Sequence, residues 1–274
     1  MAVINFISTQ WSDKLLDSTT KHYIGVAHCN RDYEGDIEKQ GSIVKICGVD
    51  DITVSDYTKN ADINEPETLS DIVRTLKIDQ AQYFNFQIDD IDRAQANPKL
   101  MEEAMKTAAA GLANAADAYV YSLYEFSNYS LTDDAVTAEK FVTLVAEMKA
   151  HMIRSGVLDF SDVIVEVSPG IATLLLTSNV LKDADESELG LIGKIHGLKV
   201  YVSNNVCVDE DGYHKCIMRS KRAVTFAEKF ITKCYTPDHR FADAVKGLHL
   251  YGAKIVYPAE YRILDVYYED EYQY

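Results

Sequence analysis

The chain has 274 residues, 47% of them hydrophobic, so it can bury a sizeable core and is not globally disordered. Its 27 basic and 43 acidic residues give a formal net charge of −16, which opposes binding to nucleic acid or to an anionic membrane surface. No apolar run approaches the roughly 20 residues that span a bilayer, and no basic segment followed by an apolar one opens the sequence. We therefore predict a soluble protein of one large domain or two intertwined ones, without an export signal.

The cysteine content predicts reduced thiols rather than a disulfide framework, because the number is odd and the spacings are wide. A zinc cluster built from Cys207, His214, Cys216, Cys234 and His239 lacks the short CxxC or HxxxH pairs that common zinc modules use. We expect half-buried thiols instead. The five cysteines are Cys29, Cys47, Cys207, Cys216 and Cys234.

The N-terminal thirty-odd residues predict an arm. Ser8 is a possible helix cap, and Trp11, Leu15 and Leu16 lie on one face of a short amphipathic helix that ends near Thr20. The following segment, 28–41, is polar and has too little apolar surface to fold alone.

A long ribbon is predicted next. Residues 41–48 form a short strand, and residues 50–71 are a polar excursion. Between residues 76 and 88 the apolar side chains occupy alternate positions, which is typical of a strand with one covered face. At about 3.3 Å per residue such a strand reaches about 43 Å, so it must leave the body of the domain. A two-stranded ribbon is marginal in water, and we expect it to rest on a neighbouring subunit.

A cluster of charged residues joins this strand to a helix. A divalent cation is one interpretation, because hard cations prefer carboxylate oxygens, but carboxylates just before a helix also interact favourably with its dipole. We favour a joint that makes ion pairs. Asn97 and Pro98 are suited to begin a helix over 98–126, about 44 Å long. The cluster consists of Asp89, Asp90, Asp92 and Arg93.

Helices and strands alternate through the middle of the chain. A helix over 132–156 is predicted to begin at Thr132 and end at Gly156. The glycines of 190–197 lack the spacing of a phosphate-binding loop, so we interpret them as turn glycines. No sequence motif of a catalytic site is present. The remaining predictions are strands at 162–167, 198–204, 213–220, 222–228 and 261–269, a helix at 169–178, and a glycine-interrupted apolar segment at 243–258.

The order of these pieces resembles the major capsid protein of tailed double-stranded DNA phages. The stretches that carry the resemblance are 50-DDITVSDYTKNADI-63, 82-QYFNFQIDDIDRAQANP-98 and 190-GLIGKIHGLKVYVSNNV-206, together with the returning strand DAVKGLHLYGAKIV. The similarity extends from about Trp11 to Tyr267. It implies an α+β chain with the Hong Kong ninety-seven-like fold.

The resemblance also implies a division of the chain and a set of contacts between subunits. No catalytic, cofactor-binding or metal-binding residue is implied. The expected parts are an N-terminal arm (1–35), an extended loop (36–89), a peripheral domain with a long spine helix (90–134), an axial domain (135–240), and return strands with a C-terminal tail (241–274). The candidate inter-subunit residues are Trp11, Lys59, Asp62, Arg74, Asp89, Asp90, Asp92 and Arg93.

The implied function is structural. Copies are expected to assemble in the host bacterial cytoplasm into pentamers and hexamers of an icosahedral shell, or virion capsid, around double-stranded DNA, without sequence-specific binding or a membrane. A portal protein is an expected partner. The predicted arm begins almost at Met1, so we also expect a separate scaffolding protein, and no crosslink motif is identifiable around Lys59.

Two alternatives remain open from the sequence. An encapsulin-like nanocompartment would share the fold but enclose cargo proteins, and a metal-dependent hydrolase would use the aspartates of the joint. The tyrosine-rich acidic end of the chain, including Tyr272 and Tyr274, is either a docking tail or a frayed terminus.

Overall fold

The computed structural model describes residues 15–33, 37, 41–49, 71–89, 100–182, 188–236 and 242–268. Three α-helices and eleven β-strands form the body of this described part, and residues 15–20 are also helical. The helices are α1 (Leu100–Ser122), α2 (Ala138–Arg154) and α3 (Pro169–Thr177). The strands are β1 (Ile43–Val49), β2 (Asp71–Lys77), β3 (Gln80–Asp89), β4 (Ser130–Asp133), β5 (Val163–Val167), β6 (Leu191–Ile195), β7 (Leu198–Val202), β8 (Tyr213–Ser220), β9 (Val224–Tyr235), β10 (Ala242–Ile255) and β11 (Tyr261–Tyr267).

The larger of two core sheets has six strands in the order β4-β11-β8-β5-β7-β6. Strand β5 is apolar at four of its five positions and fully buried, as expected for a central strand covered on both faces. Helices α2 and α3 cover one face, where Phe141 and Ile171 pack with Val165 and Met218. This sheet and its two helices form the largest hydrophobic cluster among the described residues.

The smaller core sheet has three antiparallel strands in the order β3-β10-β9. The first half of the long helix α1 packs on one face of it. Met105, Ala109 and Leu112 of the helix contact a cluster that includes Phe84 and Phe86 of β3. The small alanine side chain at the contact allows the helix to lie close to the sheet. Helix α1 agrees with the predicted helix over 98–126, and a 3-10 turn at Leu123–Phe126 completes it.

The predicted single strand over 76–88 is wrong, because the chain changes partners in its middle. Strand β2 pairs with β1 from Ile43 opposite Lys77 to Val49 opposite Asp71, whereas β3 pairs with β10. The break falls at residues 78–79, where Ile78 exchanges backbone hydrogen bonds with the 41–42 turn. Strand β10 crosses at this point, and a Cβ on Gly252 would lie 2.3 Å from the Lys77 carbonyl oxygen. Periodicity alone does not reveal such a switch.

The root of the ribbon packs on its own chain, which corrects the expectation that its apolar face needs a neighbouring subunit. Val44, Ile46 and Leu76 are buried in one cluster with Ala227 and Leu250 of the three-stranded sheet. The side chain of Lys254 donates a hydrogen bond to the Thr75 carbonyl, 2.8 Å away. The described part of the ribbon is therefore anchored within the subunit, and residues 50–70 lie outside the described residues.

Several predicted boundaries also change. Helix α2 begins after Thr137, whose side chain accepts a hydrogen bond from the Lys140 amide, and the expected cap Thr132 lies in β4. Gly156 does end this helix, with φ +88°. The segment 190–197 contains strand β6, hairpinned to β7, as well as its turn glycines. No helix among the described residues is long and apolar enough to cross a membrane.

Candidate assembly surfaces and the N-terminal clasp

Residues 23–31, here called the clasp, are held by a buried arginine of the six-stranded sheet. The Arg219 guanidinium donates to the Glu166 carboxylate through Nε (2.6 Å) and Nη2 (2.9 Å), and both side chains are fully buried. The same guanidinium donates to the carbonyl oxygens of Gly25 (2.7 Å) and His28 (2.9 Å). Its fifth N–H donates to Cys29 Sγ, 3.3 Å away. All five donors are thus used, and the charge is compensated inside the protein.

Helix α1 holds the other side of the clasp through Asp117. Its carboxylate accepts hydrogen bonds from the amides of Ile24 and Val26, both at 2.8 Å. Burial raises the pKa of Asp117 to about 6, against the lowering effect of these amide bonds. Gly25 passes so close to α1 that an added Cβ would lie 3.0 Å from the Tyr121 ring. A side chain at this position would therefore require the buried Tyr121 ring to shift by a few tenths of an ångström.

A second buried carboxylate fixes the ends of the clasp to the three-stranded sheet. Glu228 accepts hydrogen bonds from the Tyr23 hydroxyl and the Arg31 guanidinium, and it lies 2.8 Å from His249 Nε2. Burial, together with the nearby Glu228 charge, raises the pKa of Tyr23 well above its usual range. The His249 ring stacks on Phe230 with centroids 4.1 Å apart.

The clasp thus contacts both core sheets and the long helix. Glu166 and Arg219 belong to the six-stranded sheet, Glu228 and His249 to the three-stranded sheet, and Asp117 to α1. Sequence reasoning missed this network, although charged residues within the apolar strand sequences VIVEV and YHKCIMRS were a usable signal. A segment held in this way positions whatever precedes residue 23 relative to the whole body.

The structure describes only part of the predicted inter-subunit set. Arg74, on β2, places its guanidinium carbon 5.4 Å from the ring centroid of Tyr257, an attractive cation–π distance. Asp89 is the last residue of β3 and pairs with Ala242. The structure does not bring these two positions together in one site. The other predicted residues, Trp11, Lys59, Asp62, Asp90, Asp92 and Arg93, lie outside the described residues.

Among the described residues, the close pair of Ser168 and His214 is buried. Ser168 Oγ lies 2.6 Å from His214 Nδ1, but Ser168 is only 1% exposed, so a substrate does not reach it. No group of three or more His, Cys, Asp or Glu side chains converges to hold a metal ion within these ranges. Asp90 and Asp92 fall outside them, so the expectation about their carboxylates stays a prediction.

The fold is similar to solved structures of viral shells. A structure from Mycobacterium phage Che8 matches with a TM-score of 0.68 and 27% identity, over 88% of this chain and 90% of that one. The capsid of Ralstonia phage GP4 matches with a TM-score of 0.70 and 13% identity, over 93% and 92%. A virus-like particle from Pyrococcus furiosus matches with a TM-score of 0.59 and 13% identity, over 94% and 99%. Neither a protein-family model nor a curated protein matches the sequence.

These likenesses define the class to which the fold belongs. The chain has the fold of a capsid shell protein. It is the α+β Hong Kong ninety-seven-like fold of the major capsid proteins of tailed phages, as the sequence resemblance implied.

Proposed function

We propose that this chain is the major capsid protein of a tailed phage and that its copies form the pentamers and hexamers of an icosahedral shell around double-stranded DNA. The observation that carries the proposal is near-complete correspondence with phage capsids, which extends over 88% and 93% of this chain in the two phage structures. This correspondence supports a structural rather than an enzymatic role.

The charge and the ribbon support the same proposal. A net charge of −16 disfavours tight adhesion to DNA, which suits a shell that encloses a genome without gripping it. The ribbon leaves the body from an anchored root, with 21 residues between its described strands. A segment of that length, carried on a fixed base, is suited to reach an adjacent copy.

The expected division of the chain and its partners belong to the proposal. We assign residues 1–35 to an arm, 36–89 to an extended loop, 90–134 and 241–274 to a peripheral domain, and 135–240 to an axial domain. A separate scaffolding protein and a portal protein are the proposed partners. Assembly in the host bacterial cytoplasm and residence in the virion complete the assignment.

Electron microscopy of the purified protein tests the proposal directly. Closed particles with five-fold and six-fold capsomers are expected, either from the chain alone or after co-expression with its scaffolding partner. A chain that stays monomeric under both conditions, with residues 50–70 fully ordered in the monomer, would contradict shell formation.

An encapsulin-like nanocompartment for protein cargo is the second candidate, since the same fold also occurs in a virus-like particle from Pyrococcus furiosus. The contents of particles isolated from the natural source separate the two functions. Nuclease-protected double-stranded DNA supports the phage capsid, whereas a single co-purifying protein without nucleic acid supports the nanocompartment.

The metal-dependent hydrolase receives no support from the described residues. Stoichiometric binding of a divalent metal, lost together with an activity in Asp90→Asn, is the result that would revive it. A metal-free, inactive chain that still forms particles dismisses it.

A further inference from the structure

The face of the three-stranded sheet that points away from α1 carries lysines, and its only acidic position in the described register is Asp89, at the end of β3 opposite Ala242. The strand register places Asn85, Lys246 and Lys233 side by side in one row across β3, β10 and β9. None of the twelve side chains in this row and the three adjoining rows is Asp or Glu. We call it the lysine face, and its other rows are Ala81–Leu250–Lys229, Tyr83–Leu248–Ile231 and Gln87–Ala244–Tyr235.

The lysines of this face lack counter-charges among the described residues. Lys233 and Lys246 are exposed and directly opposite one another, an arrangement in which like charges repel. No described carboxylate forms a salt bridge with either of them or with Lys229. Lys246 Nζ lies 4.8 Å from the ring centroid of Tyr235, and Lys229 Nζ donates to the Ile37 carbonyl. A lysine pair without a salt bridge to any described carboxylate is unexpected in a chain with 43 acidic and 27 basic residues.

Part of the lysine face is open. The ribbon root packs near Ala81, Leu248 and Ile231 at one end. Tyr83, on the β3 edge of the row that contains Leu248 and Ile231, is 78% exposed, and Tyr235, at the opposite end of the face, is 38% exposed. Exposed phenol rings beside two ammonium groups that no described carboxylate pairs with suit an acidic peptide that carries its own aromatic side chains.

We propose that the lysine face binds residues 269–274 of a second copy of this chain. This segment, EDEYQY, carries three consecutive carboxylates followed by Tyr272 and Tyr274. In an extended conformation Glu269 and Glu271 point to the same side, about 7 Å apart, a spacing that lets both carboxylates face neighbouring lysines. The inference rests on the proposed function, because a shell is what places a second copy beside this face.

Charge density favours this segment over the ribbon tip as the occupant. Residues 50–70 carry six acidic residues and one lysine, a net charge of −5 spread over 21 residues. Residues 269–274 carry −3 within six residues, next to two aromatic rings. The two cross-strand lysines present their charges within one row, so the concentrated segment matches them better.

Zero-length crosslinking of assembled particles identifies the occupant. Particles built from a mixture of ¹⁴N and ¹⁵N chains are treated with a carbodiimide, which joins lysines to carboxylates in direct contact. We expect mixed-isotope crosslinks from Lys233 or Lys246 to residues 269–271. Crosslinks to 50–70 instead, crosslinks only within one chain, or particles without any crosslink at these lysines each overturn the inference while leaving the shell itself intact. Failure to form particles would contradict the proposed function instead.

A double-mutant cycle tests the same contact without chemical crosslinking. Lys233→Gln/Lys246→Gln and a deletion of 269–274 should each lower the denaturant midpoint of particle dissociation at low salt, with little further loss when combined. The control Lys106→Gln/Lys221→Gln removes two exposed lysines elsewhere and should add to the deletion independently. Full additivity of the lysine-face variant with the deletion would overturn the proposal.

Discussion

Two buried residues, Arg219 and Glu166, illustrate how much of this fold depends on single side chains. Neither has any exposed surface, and each satisfies the charge of the other at 2.6 Å. The guanidinium also donates hydrogen bonds to carbonyl oxygens of the clasp, which lies more than 190 residues earlier in the chain. Loss of Arg219 therefore leaves the Glu166 charge buried without its partner and removes a hydrogen-bond donor from the Gly25 and His28 carbonyl oxygens.

We predict that Arg219→Met destabilises the unassembled chain by about 3–5 kcal/mol, because the Glu166 charge stays buried without compensation. Urea unfolding measures the loss, and hydrogen exchange should accelerate in residues 23–31. The control Lys199→Met breaks an exposed pair with Glu188 and should change stability by about 0–1 kcal/mol. Equal effects of the two substitutions would contradict the role assigned to the clasp.

Asp117 predicts a pH dependence with a definite sign. Its pKa is raised from 3.8 to about 6, so the folded state binds the proton more tightly than the unfolded state does. We compare the free energy of unfolding of the natural chain with that of Asp117→Asn. The natural chain's value minus the variant's should be greatest below about pH 4 and should fall by about 3 kcal/mol as the pH rises past 6. Urea unfolding of both proteins between pH 4 and 7.5 measures this difference, which cancels the other titrating groups. A difference that stays flat or grows with pH would refute the prediction.

Two glycines show how secondary-structure elements depend on their neighbours. Gly252 lies where β10 crosses the end of β2, and an added Cβ would approach the Lys77 carbonyl oxygen to 2.3 Å. Gly111 lies on the exposed side of α1 with nothing within 4 Å of the same added atom. One glycine is therefore required by a close approach of strands, and the other only weakens a helix.

We predict opposite effects of alanine at these two positions. Gly252→Ala should destabilise the chain by about 1–3 kcal/mol, because backbone atoms must shift to remove the clash. Gly111→Ala should stabilise it by about 0.5–1 kcal/mol through helix propensity. Thermal and urea unfolding measure both. The interpretation of the strand crossing fails if Gly252→Ala is neutral.

Most elements were predictable from local pattern, and the errors have a common cause. Helix α1 and strand β8 agree with the predictions because their residues carry the period or the end signals of their element. The predicted start of α2 was wrong because Thr132 and Thr137 are both good caps. Thr132 lies in strand β4, which pairs with β11, so the helix begins after Thr137 instead. The clasp network was missed because its partners come from five separate elements.

At the scale of the whole molecule, the proposed role of the ribbon in assembly is separable from its contribution to stability. Its root is buried against the chain's own sheet, whereas residues 50–70 join β1 and β2 beyond Val49 and Asp71, which pair directly. A two-residue Asn-Gly turn is able to close such a directly paired hairpin. The tip is therefore replaceable without disturbing the root.

We predict that replacing residues 50–70 with Asn-Gly leaves the unfolding midpoint of the subunit nearly unchanged but abolishes closed particles. The physical reason is that the buried root residues remain, while the segment proposed to reach an adjacent copy is lost. Unfolding curves and electron micrographs of the same preparation measure the two effects. Normal particles from this variant would show that the tip is dispensable for assembly.

The sequence by itself determined the class of fold, because the alternation of apolar residues, the helix caps and the turn glycines are local signals repeated in a recognisable order. The tertiary structure decided where the strand over 76–88 changes partners, which sheet covers the ribbon root, and that Glu166 meets Arg219 across 53 positions. Contacts between residues far apart in the chain leave no periodic trace in the sequence. They are fixed only when the elements pack and each buried charge or close backbone approach has to find its partner.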